Sequence, residues 1–135
     1  MYSTLVYMRD KLKPLLLIVA APQLITGLLM LVDPGTFFEE IGPYGTQNDH
    51  YIRDAATFTL ALGLVLTIAA FRPRWRVAAI AGALFQLIMH SINHLVDIGE
   101  AEPERLGPIN FVLLALGAVL LGWMFMAARR DEASR

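Results

Sequence analysis

The chain has 135 residues, of which 56% are hydrophobic and 17% charged, with a formal net charge of -1 and no cysteine. A soluble domain of this size carries about a quarter charged residues, so the composition points to a membrane chain. Lack of cysteine excludes disulfides, thiolate metal ligands and dithiol redox cycling.

In chain order, Met1 to Lys13 carries Arg9, Lys11 and Lys13 with apolar Leu5, Val6, Met8 and Leu12. It is expected to lie on the inner membrane surface or to extend the first helix. Leu15 to Val32, Ala55 to Phe71, Val77 to Val96 and Ile109 to Ala128 then contain no Lys, Arg, Asp or Glu. Each is about long enough to cross ~30 Å of hydrocarbon at 1.5 Å per residue. The first run resembles a signal peptide, but cleavage near Ala21 would leave an apolar region of only about five residues after Pro14, short of the usual ~7 to 15. An uncleaved span is expected. The spans are placed at about 14–32, 52–71, 76–97 and 108–128, which predicts one all-α domain, an integral membrane four-helix bundle with up-down-up-down topology. A soluble bundle would show a charged face on every helix, and these runs have none.

The connections differ in character. Residues 33–50 form the long one: Asp33 and Pro34 stop the first span, Phe37, Phe38 and Ile41 give an apolar half, and Gly42, Pro43 and Gly45 follow. Too short to span, this segment is expected to pack as a lid or a short interfacial helix over the outer mouth of the bundle. Arg72 to Arg76 is a tight turn broken by Pro73, and Gly99 to Pro108 closes the third connection. Nine of the eleven basic residues (Arg9, Lys11, Lys13, Arg72, Arg74, Arg76, Arg129, Arg130 and Arg135) fall on one side. The positive-inside rule makes that side, with both termini, cytoplasmic in a bacterial plasma membrane. Once these residues are assigned to inner loops, no basic surface is left for nucleic acid. Trp75, Trp123, Tyr44 and Tyr51 suit interfacial anchoring.

The third span carries Gln86, His90, Asn93, His94 and Asp97. At 100° per residue they share an arc of roughly 100°, a polar stripe that is costly in a membrane unless something uses it. His50 and Asp54 sit at i, i+4 at the start of the second span, so topology predicts that all three histidines converge at the outer side. His90 and His94, one turn apart, suit a metal ion, with His50 as a further ligand, Gln86 and Asn93 beside the cofactor, and Asp97 orienting His94. Nitrogen and oxygen donors suit a divalent transition metal. Haem would need His50 on the face opposite His90 or His94, since histidines one turn apart cannot take opposite faces. Without metal, His94 with Asp97, or His50 with Asp54, forms an acid-base pair for a lipophilic substrate: isomerisation, epoxide opening or quinone protonation. The bland reading is that polar groups near span ends are interhelical contacts worth about 0.6 kcal/mol each.

With RDAATFTLALGLVL at the second span and FRPRWR at the inner turn, residues 12–128 resemble the small four-span bacterial membrane proteins of the DoxX-like group. That resemblance implies the four-span fold and respiratory or quinone-linked redox chemistry. It transfers no catalytic residue, because HSINHLVD, His90 to Asp97, is not a motif of that group. The leading expectation is a His/Asp site that binds a metal or haem and acts in redox or lipid-substrate chemistry. Its alternatives are an accessory subunit, in a homo-oligomer or larger membrane complex, whose stripe pairs with a partner helix, and a metal-free isomerase or hydrolase.

Overall fold

A computed structural model describes residues 10–134; Arg9, Arg135 and the apolar residues of the N-terminal segment before Leu12 lie outside it. The described chain is helical, with α1 (Leu12–Val32), α2 (Pro34–Glu40), α3 (Asp49–Phe71), a 3-10 turn (Pro73–Trp75), α4 (Arg76–Val96) and α5 (Leu106–Ala133). Its only β pairing among the described residues is an isolated bridge between Tyr44 and Ala101. Four helices are long and apolar enough to cross a membrane: α1, α3, α4 with the turn before it, and α5. Helix α5 runs beyond the expected 128, because Arg129 to Ala133 continue it as a polar extension.

Local chemistry sets the breaks. Asp33 caps α2: its carboxylate accepts from the Thr36 N–H at 3.1 Å and from the Thr36 hydroxyl at 2.8 Å, while Pro34 occupies a first-turn position where no N–H is needed. Those two bonds hold the Asp33 carboxyl below its ordinary range. Asn48 caps α3 by accepting from the Tyr51 N–H at 3.2 Å. Pro73 ends α3, and it leaves the Ala69 carbonyl without the N–H four residues on. Arg76 supplies the substitute: its Nε donates to Ala69 O at 3.2 Å and one terminal nitrogen to Ala70 O at 3.3 Å. The same guanidinium forms a bidentate pair with Asp10, at 2.9 Å through Nη1. Arg76 is 5% exposed and Asp10 44%, so the expected loop charge is a buried clamp joining the starts of α1 and α4 to the end of α3.

Helices α1 and α3 pack along their length in antiparallel register. A methyl at Gly27 would lie 2.8 Å from Leu60 Cγ and 3.1 Å from Leu60 N, and one at Gly63 would lie 2.8 Å from Leu24 Cγ. These two glycines allow the close approach that small residues give helices in membranes. Helices α4 and α5 form a second extensive pair, in which Leu87 fills the space beside Gly117. Backbone approach between the pairs is slight: among the described residues α3 comes close to α4 and α1 to α5, while the backbones of α1 and α4, and of α3 and α5, stay apart. The shared core is Leu12, Leu16 and Ala20, then Leu66, Ala69 and Ala70, then Ala79, Ile80, Ala83 and Leu87, then Leu121, Met124 and Ala128. All but Leu87 lie in the half of their helix nearer Lys13, Arg72, Arg74 and Arg129. Two helix pairs are therefore welded at the arginine-rich end and much less joined toward the acidic end.

The segment between α2 and α3 bridges the pairs at the acidic end. Asn110 of α5 donates to Ile41 O at 2.9 Å, and the Glu102 N–H donates to Pro43 O at 3.2 Å. Together with the bridge from Tyr44 to Ala101, these bonds make the expected lid a strap tied to the α4–α5 connection.

Candidate functional site

On α4, Leu87 and Ser91 are buried on the side that meets α5. About a quarter turn away runs a second ridge: Ala79, Ala83, Gln86, His90, Asn93 and Asp97. Its first two members are buried in the shared core, whereas Gln86, His90 and Asn93 are exposed. One ridge is thus covered at the arginine-rich end and bare toward the acidic end, because the pairs lose their shared core there.

The histidines of this ridge and its neighbour are wired together. His94 Nε2 lies 3.1 Å from His90 Nε2, with the rings 4.7 Å apart and tilted by 54°. His94 Nδ1 lies 2.9 Å from the Tyr44 hydroxyl, and Tyr44 meets the imidazole edge-on at 4.9 Å. His90 Nδ1 lies 3.4 Å from Gln86 Nε2. The result is an unbranched chain from the strap into the apolar part of α4: Tyr44, His94, His90, Gln86.

Two proton orders satisfy every link. In one, Tyr44 donates to His94 Nδ1, His94 Nε2–H donates to His90 Nε2, and His90 Nδ1–H donates to the Gln86 oxygen with the amide turned over. In the other, the amide nitrogen donates to His90 Nδ1, His90 Nε2–H donates to His94 Nε2, and His94 Nδ1–H donates to the Tyr44 oxygen. Neutral imidazoles accommodate either order.

The remaining candidates lie elsewhere. His50 sits 3.5 Å from Asp54, both largely exposed, on a side of α3 away from Leu66 and Ala69, the side that meets α4. The expected convergence of three histidines does not occur. The hairpin makes α3 and α4 neighbours, but helical phase turns His50 outward. No group of three His, Asp or Glu side chains poised to hold a metal exists among the described residues. A haem bracketed by His50 and the α4 histidines is equally unsupported by this placement. Asp97, expected to orient His94, is the C-cap residue of α4, and the hydroxyl beside His94 Nδ1 is that of Tyr44. Asn93 lies on the exposed ridge without a side-chain bond to the histidines. Tyr44 is the residue sequence reasoning missed as a site member; its signal was a hydroxyl inside Gly42-Pro43-Tyr44-Gly45, a turn that fixes its backbone.

No family model matches the chain, and no curated protein or solved structure is significantly similar to it.

Proposed function

We propose that this is a small integral membrane protein acting as an acid-base site for a lipophilic substrate, with His90 as the group that meets substrate and with His94 and Tyr44 as its proton relay. The reading includes an up-down-up-down bundle, with the arginine-rich end and both termini on the cytoplasmic side of a bacterial plasma membrane and the histidines toward the outer leaflet. The asymmetry of basic residues supports that orientation. The observation that carries the chemistry is the continuous chain from Tyr44 to Gln86 with His94 Nε2 and His90 Nε2 at 3.1 Å. A substrate atom that replaces Gln86 beside His90 Nδ1 accepts its proton. His90 Nε2 then takes the proton of His94 Nε2, and His94 Nδ1 takes that of Tyr44, which is replenished from the strap side. Each imidazole gives a proton from one nitrogen and gains one on the other, so the pair ends neutral and ready to run in reverse.

A second reading has its own observation. Two His–metal bonds of about 2.0 to 2.1 Å at an angle near 100° also place the nitrogens about 3.1 Å apart, and both Nδ1 atoms are engaged, as in histidines oriented for a metal. A divalent transition metal bound there displaces the shared proton, so one experiment separates the readings. Purified protein with ¹⁵N-labelled histidine is examined by NMR alongside elemental analysis. The acid-base reading expects metal-free protein with one proton shared between two Nε2 atoms, and a changed tautomer order in Tyr44→Phe. A stoichiometric metal lost in His90→Ala establishes the metal reading instead. Independent tautomers for the two rings sink the relay. The DoxX-like resemblance stands as a proposal for ancestry and supplies no residue to this scheme.

A further inference from the structure

Two amides of α4 are left open by the fold. Gln86 and Asn93 are exposed, yet α4 is among the helices long and apolar enough to cross a membrane. Gln86 has one long bond, at 3.4 Å to His90 Nδ1, and Asn93 has no side-chain partner among the described residues. A primary amide carries two donors and an acceptor oxygen, and hydrocarbon satisfies none of them. The two amides are seven residues apart, and Met89 and Val96 interleave with them at alternating steps of three and four. That is the seam of a left-handed helix pair. Met89 is 51% exposed and Val96 76%, so all four positions are accessible. A seam through His90 and Asp97 instead is less free, because His90 is bonded to His94 and Asp97 is half-buried. At 100° per residue the open seam is centred about 140° from Leu87, which is buried beside Gly117 of α5.

The chemistry of the seam selects what covers it. Copies of a membrane chain inserted in one orientation are related by a two-fold axis along the bilayer normal, which sets α4 parallel to its counterpart. Each seam residue then meets itself. A carboxylate or an ammonium would repel its own image, whereas an amide donates through nitrogen, accepts through oxygen and so is its own complement. Amide pairing of this kind fixes register in parallel helix pairs, and it brings hydrogen bonds that lipid tails cannot. A second copy supplies both amides at the right depths automatically. A foreign helix would need its own polar groups at two matching levels.

From this we infer that the protein forms a parallel, two-fold symmetric dimer through α4, in which Gln86 and Asn93 each pair with the same residue of a second copy while Met89 and Val96 pack between them. The inference goes beyond the acid-base reading and stands without it.

The natural chain has no cysteine, so single substitutions report contacts without background. Full-length Met89→Cys and Val96→Cys, diluted in liposomes, are expected to form disulfide-linked dimers on mild oxidation. Ile88→Cys and Leu95→Cys, at exposed positions on another side of α4, are expected to stay monomeric under the same treatment. Energy transfer between copies labelled at the N-terminus, titrated against the protein-to-lipid ratio, measures the dimer in the natural chain. Asn93→Leu is expected to weaken it about tenfold, and Asn93→Gln, which keeps an amide, to retain it. Monomers at every ratio, equal cross-linking at all four cysteine positions, or a dimer that Asn93→Leu leaves unchanged overturns the inference. Should a cysteine variant not fold, the titration of the natural chain against Asn93→Leu decides alone, since this exposed side chain has no side-chain bond within one copy for the substitution to break.

Discussion

Tyr44 and Arg76 are two polar side chains placed by the fold where apolar surroundings raise the stakes of their bonds. Replacing Tyr44 by Phe removes one hydrogen bond at 2.9 Å to His94, and the expected cost is about 1 kcal/mol in thermal unfolding in detergent. A far smaller loss would mean that His94 finds another partner. Arg76 carries more. Its guanidinium satisfies two carbonyls orphaned by the Pro73 break as well as Asp10, so Arg76→Ala should destabilise by about 3 kcal/mol or more. The hydrogen bond from Arg76, opposed by partial burial and helped by the nearby positive charge, holds the Asp10 carboxyl below its ordinary range. Because the folded value is depressed, the contribution is full above the unfolded value near 4 and is lost as pH falls through the folded value. Acid titration of stability should show that loss in the natural chain and not in Asp10→Asn; parallel curves for the two proteins would refute the role of the pair. Neither residue's role was legible from the sequence. Arg76 belonged to an arginine-rich turn that orientation already explained, and Tyr44 reaches a histidine 50 positions away.

At the scale of elements, hydrophobic run length defined the four long helices well, since charge-free segments of this length admit few other structures. The ends moved where polar residues continue a helix, as in α3 from Asp49 and α5 to Ala133. Helical phase was also readable on each span, and it grouped Gln86, His90 and Asn93 correctly on one ridge. What phase alone cannot supply is the direction of a neighbour, and that is why His50 and Asp54 were expected at the site. The α1–α3 contact gives a test of packing at this level. Gly27→Ala sets a methyl against both the side chain and the backbone of Leu60, and should cost roughly 1 to 3 kcal/mol. Gly82, where an added methyl meets nothing within 4 Å, is the matched control: Gly82→Ala should be neutral or stabilising by up to about 1 kcal/mol. Equal effects of the two substitutions on unfolding would contradict the described contact.

For the molecule as a whole, the division into two helix pairs predicts independence. Gly27→Ala perturbs only the α1–α3 pair, and Gly117→Ala only the α4–α5 pair, where its methyl would meet Leu87 Cδ2 at 2.7 Å. Their costs should add to within about 0.5 kcal/mol; strong coupling in the double variant would mean that the pairs pack together along their full length. This division had no sequence signature, because all four runs are similarly apolar and the bare ridge differs from the covered one only in replacing Ala79 and Ala83 by Gln86, His90 and Asn93.

The strap gives that division a mechanical meaning. It leaves α1 through α2, is pinned to α5 at Asn110 and to the α4–α5 connection at Glu102, and ends its polar contacts on His94 through Tyr44. Any spreading of the pairs would load the same segment that holds Tyr44 against His94. The segment that ties the pairs together at the acidic end is thus also the one that supplies the hydroxyl beside His94.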